Sequence, residues 1–157
     1  MISFEQISKT QFASDCPTGD YDKIELPVRA TDNSAGYDFY MTQDVTLLPK
    51  ESAVIPTGIR WYTDGQFFLM IVPRSGLGFK YQLGLANTVG IIDADYYNAD
   101  NEGHIMVKLV NNGDKPISIK QGERFCQGII IPYLTLTYDS ILSNNRTGGF
   151  GSSDELG

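Results

Sequence analysis

The feature that most constrains this chain is a series of short extended segments separated by turn residues. The segments are VTLLP at 45–49, SAVIPTGIRW at 52–61, QFFLMIVP at 66–73, HIMVKLV at 104–110 and FCQGIIIPYLTLT at 125–137. Short alternating or continuous apolar runs are typical of strands, and no stretch keeps a helical period. The intervening PTG, TDG, NNGDKP, KQG and GG carry turn residues. The pattern predicts an all-β barrel or jelly-roll-like sandwich, with at most a helical turn in GLGFKYQLGLA.

Size and charge limit the possible partners. A chain of 157 residues with 41% hydrophobic content suffices for one domain with a single core. Its 12 Lys and Arg against 19 Asp and Glu give a net charge of −7, which disfavours a nucleic-acid polymer as partner. No apolar run approaches the roughly 20 residues that span a bilayer, and the N-terminus lacks a signal-peptide pattern. We therefore expect a cytoplasmic protein with no membrane partner, and we interpret Cys16 and Cys126 as free thiols.

A polar cluster follows the strand QFFLMIVP directly. Arg74 supplies a planar fork of donors, Ser75 a hydroxyl, and Gly76 lets a backbone N–H group approach an anion closely. These residues outline a phosphate cradle. From this segment alone, a polar turn at the end of the strand is the favoured interpretation. A dinucleotide fingerprint is excluded, because Tyr81 stands where the third glycine belongs.

The stretch GIIDADYY places two carboxylates at the end of an apolar run that reads as a core strand. In an extended strand, Asp93 and Asp95 would point to one side and could form a metal site or a base of tuned pKa. An Asp-rich turn is the alternative. The following NADNEG reads as a hairpin tip. His104, the single histidine, has no second His or Cys nearby, so we expect it to be partly exposed and without a catalytic role.

The C-terminal residues change character. Gly, Ser and Asn dominate residues 144–157, which predicts a flexible arm separate from a β-domain at 1–143. The arm is either functionless or orders when it closes over a ligand. In the second case, Phe150 would stack on a base while Arg146 and the neighbouring glycines hold phosphates.

Taken in order, the motifs resemble one family. SAGYDFY, PRSGLGFK, NTVGIIDADYYN with EGHIMVKLVN, GERFCQGIIIP and RTGGFGSSD are similar to the five ordered motifs of the trimeric dUTP pyrophosphatases, over residues 34–153. The resemblance implies a jelly-roll-like subunit in a homotrimer whose three active sites each draw on all three chains. It also implies hydrolysis of dUTP to dUMP and pyrophosphate. This reaction limits uracil incorporation into DNA and supplies dUMP for thymidylate synthesis.

The third motif of that family would supply the catalytic and nucleoside-binding residues. The resemblance implies that Asp93 is the general base activating the water that attacks the α-phosphorus, and that Tyr96 lies against the deoxyribose and rejects ribose. It assigns uracil recognition to Asn87, Gly90 and Met106.

The other motifs would hold the triphosphate. The resemblance assigns this role to Arg74, Ser75, Gly76 and Gln127. It assigns closure over the nucleotide to Arg146, Gly148, Gly149, Phe150 and Gly151. It also implies a Mg²⁺ cofactor bound mainly by the phosphates, with Asp38 contacting the ion through water.

Two departures from the family pattern carry their own expectations. Only Thr147 separates Arg146 from Gly148, where the common form has two residues. Residues 97–102, called here the inserted segment, lengthen the hairpin of the third motif. We expect them to extend it outward without touching the site, and the alternative is a contact surface for a regulatory protein. Rival functions are a dCTP deaminase, with Glu102 as its catalytic carboxylate, and a binding module without enzyme activity.

Overall fold

The structure is a computed structural model that describes residues 1–138. Its strands are β1 (Ile2–Gln6), β2 (Val28–Arg29), β3 (Gly36–Tyr40), β4 (Val45–Leu47), β5 (Ser52–Pro56), β6 (Ile59–Thr63), β7 (Phe67–Pro73), β8 (Leu83–Leu85), β9 (Gly90–Ile92), β10 (Met106–Asn111), β11 (Ile117–Ile119) and β12 (Arg124–Pro132). Its helices are α1 (Lys9–Asp15), α2 (Ser75–Tyr81) and two 3-10 helices, Tyr21–Lys23 and Ala94–Asn98. The predicted arm at 144–157 and the domain boundary at 143 lie outside the described residues.

Antiparallel pairing joins the strands into four sheets. The largest has the order β2-β3-β12-β7-β9, a second has the order β5-β10-β8, and the pairs β1-β6 and β11-β4 complete the set. The five segments predicted as strands all contain strands. SAVIPTGIRW contains two, because Gly58 with its positive φ of 74° breaks the run between β5 and β6. The predicted all-β, jelly-roll-like class is confirmed.

The core follows from the alternation of side chains along the strands. In β6, Trp61 points inward between half-exposed neighbours, and Phe125 opens the buried part of β12. Gly128 lets β12 approach the core, because a Cβ there would lie 2.9 Å from Leu69 and 3.0 Å from Phe39. Both cysteines are buried and free, as predicted.

The helix α1 is absent from the sequence-based prediction. Its sequence KTQFASD offers one large apolar residue, Phe12, and so shows no helical stripe. Two features form the helix nonetheless. The Ser8 side chain caps it by accepting a hydrogen bond from the Gln11 amide, and Phe12 is buried in the core.

The region after β9 differs from the prediction of an extended strand and an outward hairpin. Strand β9 is not a core strand but an edge strand with a half-exposed Ile91, and it ends at Ile92. Asp93 then caps a 3-10 helix that contains Asp95, so the two carboxylates do not alternate along a strand. The chain has no sequence signal for this turn, because the run of five residues is too short for a period.

The inserted segment folds back onto the N-terminal part of the chain. The Tyr97 hydroxyl donates a 2.9 Å hydrogen bond to Glu5, and the Arg60 guanidinium lies 4.3 Å from the Tyr97 ring centre. The Glu102 carboxylate accepts hydrogen bonds of 2.7 Å from both the Ser8 amide and the Ser8 hydroxyl. The expectation of an outward extension is therefore wrong.

His104 is fully buried, and the expectation of partial exposure is also wrong. Its Nε2 accepts a 2.8 Å hydrogen bond from the Gly58 amide, so in the neutral ring Nδ1 carries the proton. That N–H donates to the Asp15 carboxylate at 2.7 Å. Burial lowers the pKa of His104, and the Asp15 carboxylate only partly opposes this effect. The residue is a structural clamp between α1 and the chain leading into β10.

Candidate active site

A cleft of about 640 Å³ lies beside β8, β9 and β10. Its lining includes all four residues of the predicted nucleoside pocket, namely Asn87, Gly90, Tyr96 and Met106. Apolar side chains such as Ile71 and Leu85 form much of the remaining wall. The shape and chemistry suit a flat, weakly polar ring, because small-molecule sites are mostly apolar with a few placed polar groups.

Local backbone geometry opens this cleft. Thr88 has a φ of 66°, and the Val89 amide donates to the Asn87 carbonyl at 2.7 Å, so the chain turns sharply before β9. Gly90 then pairs with Ile71 of β7, and a Cβ at Gly90 would lie 3.1 Å from the Ile71 Cβ. A side chain at this position would press on β7, so glycine keeps the cleft floor in place.

Asp93 and Tyr96 are joined by the 3-10 helix that borders the cleft. Asp93 is exposed and caps the helix through its backbone, and the Tyr96 amide donates to its carbonyl at 3.2 Å. Tyr96 is buried and lines the cleft. The helix therefore places an exposed carboxylate one turn away from an aromatic wall.

The predicted phosphate residues gather at the other end of β7. Arg74 follows β7, with Ser75 and Gly76 beginning α2. A Cβ at Gly76 would meet no atom of the described chain within 4 Å, so packing in this part of the chain does not require glycine there. Space beside the Gly76 backbone remains for a group from outside these residues.

Asp38 links two arginines at this end. The Arg74 Nε lies 3.1 Å from Asp38 Oδ1, and the Arg124 Nη1 lies 3.1 Å from Asp38 Oδ2. The Asp38 side chain is buried, while both guanidiniums remain partly exposed. Two positive charges against one negative charge leave this cluster with a local excess of one positive charge, although the whole chain is acidic. The sequence-based prediction did not include Arg124 among the phosphate-binding residues. The one feature that could have indicated it is its place in the motif GERF, two residues after Gly122.

Gln127 and a second cleft complete this end. Gln127 pairs with Asp38 across β12 and β3, and its Nε2 donates to the Pro73 carbonyl at 3.4 Å. A cleft of about 590 Å³ opens beside Arg74 and Arg124.

Burial raises the pKa of the neighbouring Cys126 thiol well above its ordinary value, and the Asp38 carboxylate adds to the shift. This thiol therefore stays protonated and is not a nucleophile.

The two halves of the predicted site lie apart in one chain. The β7–β9 register pairs Leu69 with Ile92, which sets Asp93 level with Phe68. Arg74 is six residues further along β7, or about 20 Å at the rise of a strand. Asp93 and Arg74 therefore lie toward opposite ends of β7 in one chain. Arg146, Gly148, Gly149, Phe150 and Gly151 lie outside the described residues.

Comparison with known proteins gives the family. The dUTPase family model matches residues 22–154. The deoxyuridine 5'-triphosphate nucleotidohydrolase of Lactococcus lactis is 42% identical over 132 residues, covering 83% of this chain and 88% of the relative. This chain belongs to the dUTPase family. The resemblance read from the five motifs is confirmed, and the deaminase and binding-module alternatives are not favoured.

Solved structures agree with the family fold. The crystal structure of dUTPase from Streptococcus mutans superposes with a TM-score of 0.71 at 32% identity, covering 87% of this chain and 99% of that one. A mutant dUTPase from phage phi11 of S. aureus, which coordinates a structural Mg(II) ion, has a TM-score of 0.68 at 20% identity, covers 91% and 97% of the two chains, and shows the fold alone. Among residues 1–138, no helix is long and apolar enough to cross a membrane. The cytoplasmic location stays a prediction.

Proposed function

We propose that this chain hydrolyses dUTP to dUMP and pyrophosphate at sites shared between the subunits of a homotrimer. The observation that carries the proposal is the cleft in which Asn87, Gly90, Tyr96 and Met106 meet beside Asp93. The separation of Asp93 from Arg74 along β7 supports shared sites, because a second chain has to bring its phosphate-binding end to the cleft of the first.

The cleft recognises the nucleoside. The Asn87 side chain and the backbone groups near Gly90 and Met106 read the pairing edge of uracil, and the close wall excludes the methyl group of thymine. Tyr96 packs against the deoxyribose, where a 2'-hydroxyl would clash with its ring. A buried aromatic ring is a firm wall, because moving it requires repacking of its neighbours.

Asp93 acts as the general base. Its exposed carboxylate accepts a proton from water as that water attacks the α-phosphorus, and the bond to the bridging oxygen breaks to release pyrophosphate. A carboxylate is a weak base, so alignment of the water contributes more than base strength. The 3-10 helix supplies this alignment by fixing Asp93 relative to Tyr96.

The cluster at the end of β7 binds the phosphates. Arg74, Ser75, Gly76 and Gln127 offer guanidinium, hydroxyl, backbone and amide donors on one face. Arg146 with Gly148, Gly149, Phe150 and Gly151 closes over the nucleotide from a further chain. The local positive excess at Asp38 lets an acidic protein bind a tetra-anion.

The residues at this end fit Mg²⁺ bound mainly through the triphosphate. The described residues contain no cluster of three or more His, Cys, Asp or Glu side chains able to hold a metal. The triphosphate would supply most of the ligands of the ion. Asp38 is a single carboxylate within the cluster, which suits contact through a water molecule. Bound Mg²⁺ supplies charge neutralisation to the phosphates.

Only part of the inserted segment is available for contact with a regulatory protein. Tyr97 and Glu102 are engaged with Glu5 and Ser8 of the same chain. The exposed side chains of this segment are Asn98 and Asp100, which would form the contact.

The testing experiment measures pyrophosphate release from dUTP, dCTP, dTTP and UTP, each with and without Mg²⁺, and ammonia release from dCTP. The expected result is Mg²⁺-dependent pyrophosphate release from dUTP alone. Ammonia from dCTP would identify a deaminase, and no product from any of the four would favour a binding module.

A further inference from the structure

We propose that Asn101 of the inserted segment is a positioning residue that fixes the Tyr96 ring and so sharpens discrimination against ribonucleotides. The inference rests on the proposed role of Tyr96 as the wall beside the sugar. It concerns the residues behind that wall, which do not line the cleft.

Two hydrogen bonds hold the Tyr96 hydroxyl from behind, and a third joins their two partners. The hydroxyl donates to the His104 carbonyl at 3.0 Å. Asn101 Nδ2 donates to the same hydroxyl at 2.9 Å and to the His104 carbonyl at 3.2 Å. The phenol is thus tied at its far end, so its ring rather than its hydroxyl faces the cleft.

The orientation of the Asn101 amide follows from its partners. The His104 carbonyl can only accept, so the NH₂ end of the amide faces it and the Tyr96 oxygen. The opposite atom, Asn101 Oδ1, is buried and has no hydrogen-bond partner among residues 1–138. An unpaired buried carbonyl destabilises the fold. The hydrogen bonds of this side chain are those of its NH₂ group, which donates to the Tyr96 hydroxyl and the His104 carbonyl.

The backbone brings this triangle together by a close approach. Glu102 and Gly103 both have positive φ, 61° and 71°, and return the chain to Tyr96. A Cβ at Gly103 would lie 2.7 Å from the Tyr96 carbonyl oxygen, so only glycine permits the approach. The two hydrogen bonds from Ser8 hold Glu102 in this positive-φ backbone conformation, which residues other than glycine rarely adopt.

The N-terminal residues fix the His104 end of the triangle. Asp15 and the Gly58 amide hold both ring nitrogens of His104, so its carbonyl has little freedom.

Glu5 and Ser8 anchor the inserted segment at Tyr97 and Glu102. Glu5, Ser8 and Asp15 all precede residue 22, where the match to the family model begins. Part of the support behind Tyr96 therefore comes from residues that precede the family match.

The experiment compares kcat/KM for dUTP, UTP and dTTP in the full chain and in Asn101→Ala and Asn101→Asp. In both variants we expect the ratio of dUTP to UTP to fall roughly fivefold, the size of one neutral hydrogen bond, mainly through faster hydrolysis of UTP. The ratio of dUTP to dTTP should stay within about twofold, because the base pocket is untouched. The isosteric Asp variant removes the donor while keeping the volume.

Two controls separate positioning from general damage. Asn98→Ala removes an exposed amide from the same segment and should leave both ratios unchanged. Tyr96→Phe should lower the dUTP to UTP ratio, and adding Asn101→Ala to it should lower the ratio no further, because the two groups act as a unit.

The outcomes distinguish the inference from the proposed function. If the unmodified protein does not hydrolyse dUTP, or hydrolyses UTP equally well, the proposed function fails. If the unmodified protein is selective and the two Asn101 variants keep its dUTP to UTP ratio, or lose activity on all three nucleotides alike, the inference is overturned alone.

Discussion

The two ends of the site are built differently. The nucleoside end is a mostly apolar cleft whose walls come from several strands of one chain, between Val54 and Lys108. The phosphate end is a charged cluster in which Arg74 and Arg124 are paired with one carboxylate, Asp38, and remain partly exposed. Strand β7 joins them, because Ile71 lines the cleft and Arg74 directly follows the strand.

The difference reflects the charge of the ligand parts. Burying a neutral base costs much less desolvation free energy than burying a charged group, provided its polar edge is hydrogen-bonded, so that cleft can be largely apolar. A triphosphate needs many donors, and an uncompensated arginine cluster would be costly in the free protein. In the free protein, Asp38 neutralises part of the charge of the two arginines. When the nucleotide binds, its phosphates would replace Asp38 as the partner of the arginines or would bring Mg²⁺ to it. The following changes test this division, from the largest expected effect to the smallest.

Replacing the general base should separate chemistry from binding. Asp93→Asn is expected to lower kcat by about 10²- to 10⁴-fold, the usual contribution of a general base, with little change in dUTP affinity. Pyrophosphate release and calorimetric titration of dUTP measure the two quantities. Asp100→Asn, an exposed carboxylate in the inserted segment, is the control. A near-native rate in Asp93→Asn would contradict the assignment of the base.

Changing the phosphate end should leave nucleoside binding alone. Arg74→Lys keeps the charge but loses the planar fork, so dUTP affinity should fall about tenfold while dUMP affinity changes little. Titrations with dUTP and dUMP measure the split, with Arg29→Lys as the control at an arginine that contacts the Asp32 carbonyl. An equal loss for both nucleotides would break the division between the two ends.

Asp38→Asn tests the cofactor contact. Loss of the carboxylate is expected to raise the Mg²⁺ concentration for half-maximal activity by about tenfold, the lower range for outer-shell ligands. The control is Asp44→Asn, because Asp44 is an exposed carboxylate paired with Lys120. An unchanged Mg²⁺ requirement in Asp38→Asn would confine Asp38 to its ion pairs with the arginines.

The free energy of unfolding should depend on pH through His104, which lies behind the nucleoside end. Because the folded-state pKa of His104 is lowered from its ordinary 6.5, the unfolded chain binds a proton more readily below that pH. Its contribution to the free energy of unfolding is therefore present above pH 6.5 and lost as the pH falls toward the folded-state pKa. The loss cannot exceed about 1.4 kcal/mol per pH unit for one proton.

Thermal or urea unfolding between pH 7 and about 5 measures this slope. His104→Gln should flatten it, since no imidazole remains to titrate. The lowered pKa of the Asp15 carboxylate acts in a separate window, below its ordinary 3.8 and outside this pH range. An identical slope in His104→Gln would assign the pH dependence to other groups.

Much of this protein could be predicted from local sequence. The strands around Leu69 and Ile129 were predictable because alternation and turn residues are properties of neighbouring positions. The five motifs pointed to the family, and the cleft brings together the residues that they assign to uracil and sugar. The short helix α1 and the 3-10 helix after β9 were not predicted, because neither is long enough to show a helical period in the sequence.

The sequence by itself determined the all-β class, the family and the types of side chain at each end of the site. Only the tertiary structure decided that His104 is a buried clamp, that Arg124 shares Asp38 with Arg74, and that the inserted segment turns inward. The physical reason is distance along the chain. His104 meets Asp15 across 89 positions and Glu102 meets Ser8 across 94, and no local pattern encodes which distant group will satisfy a polar side chain once the chain is folded.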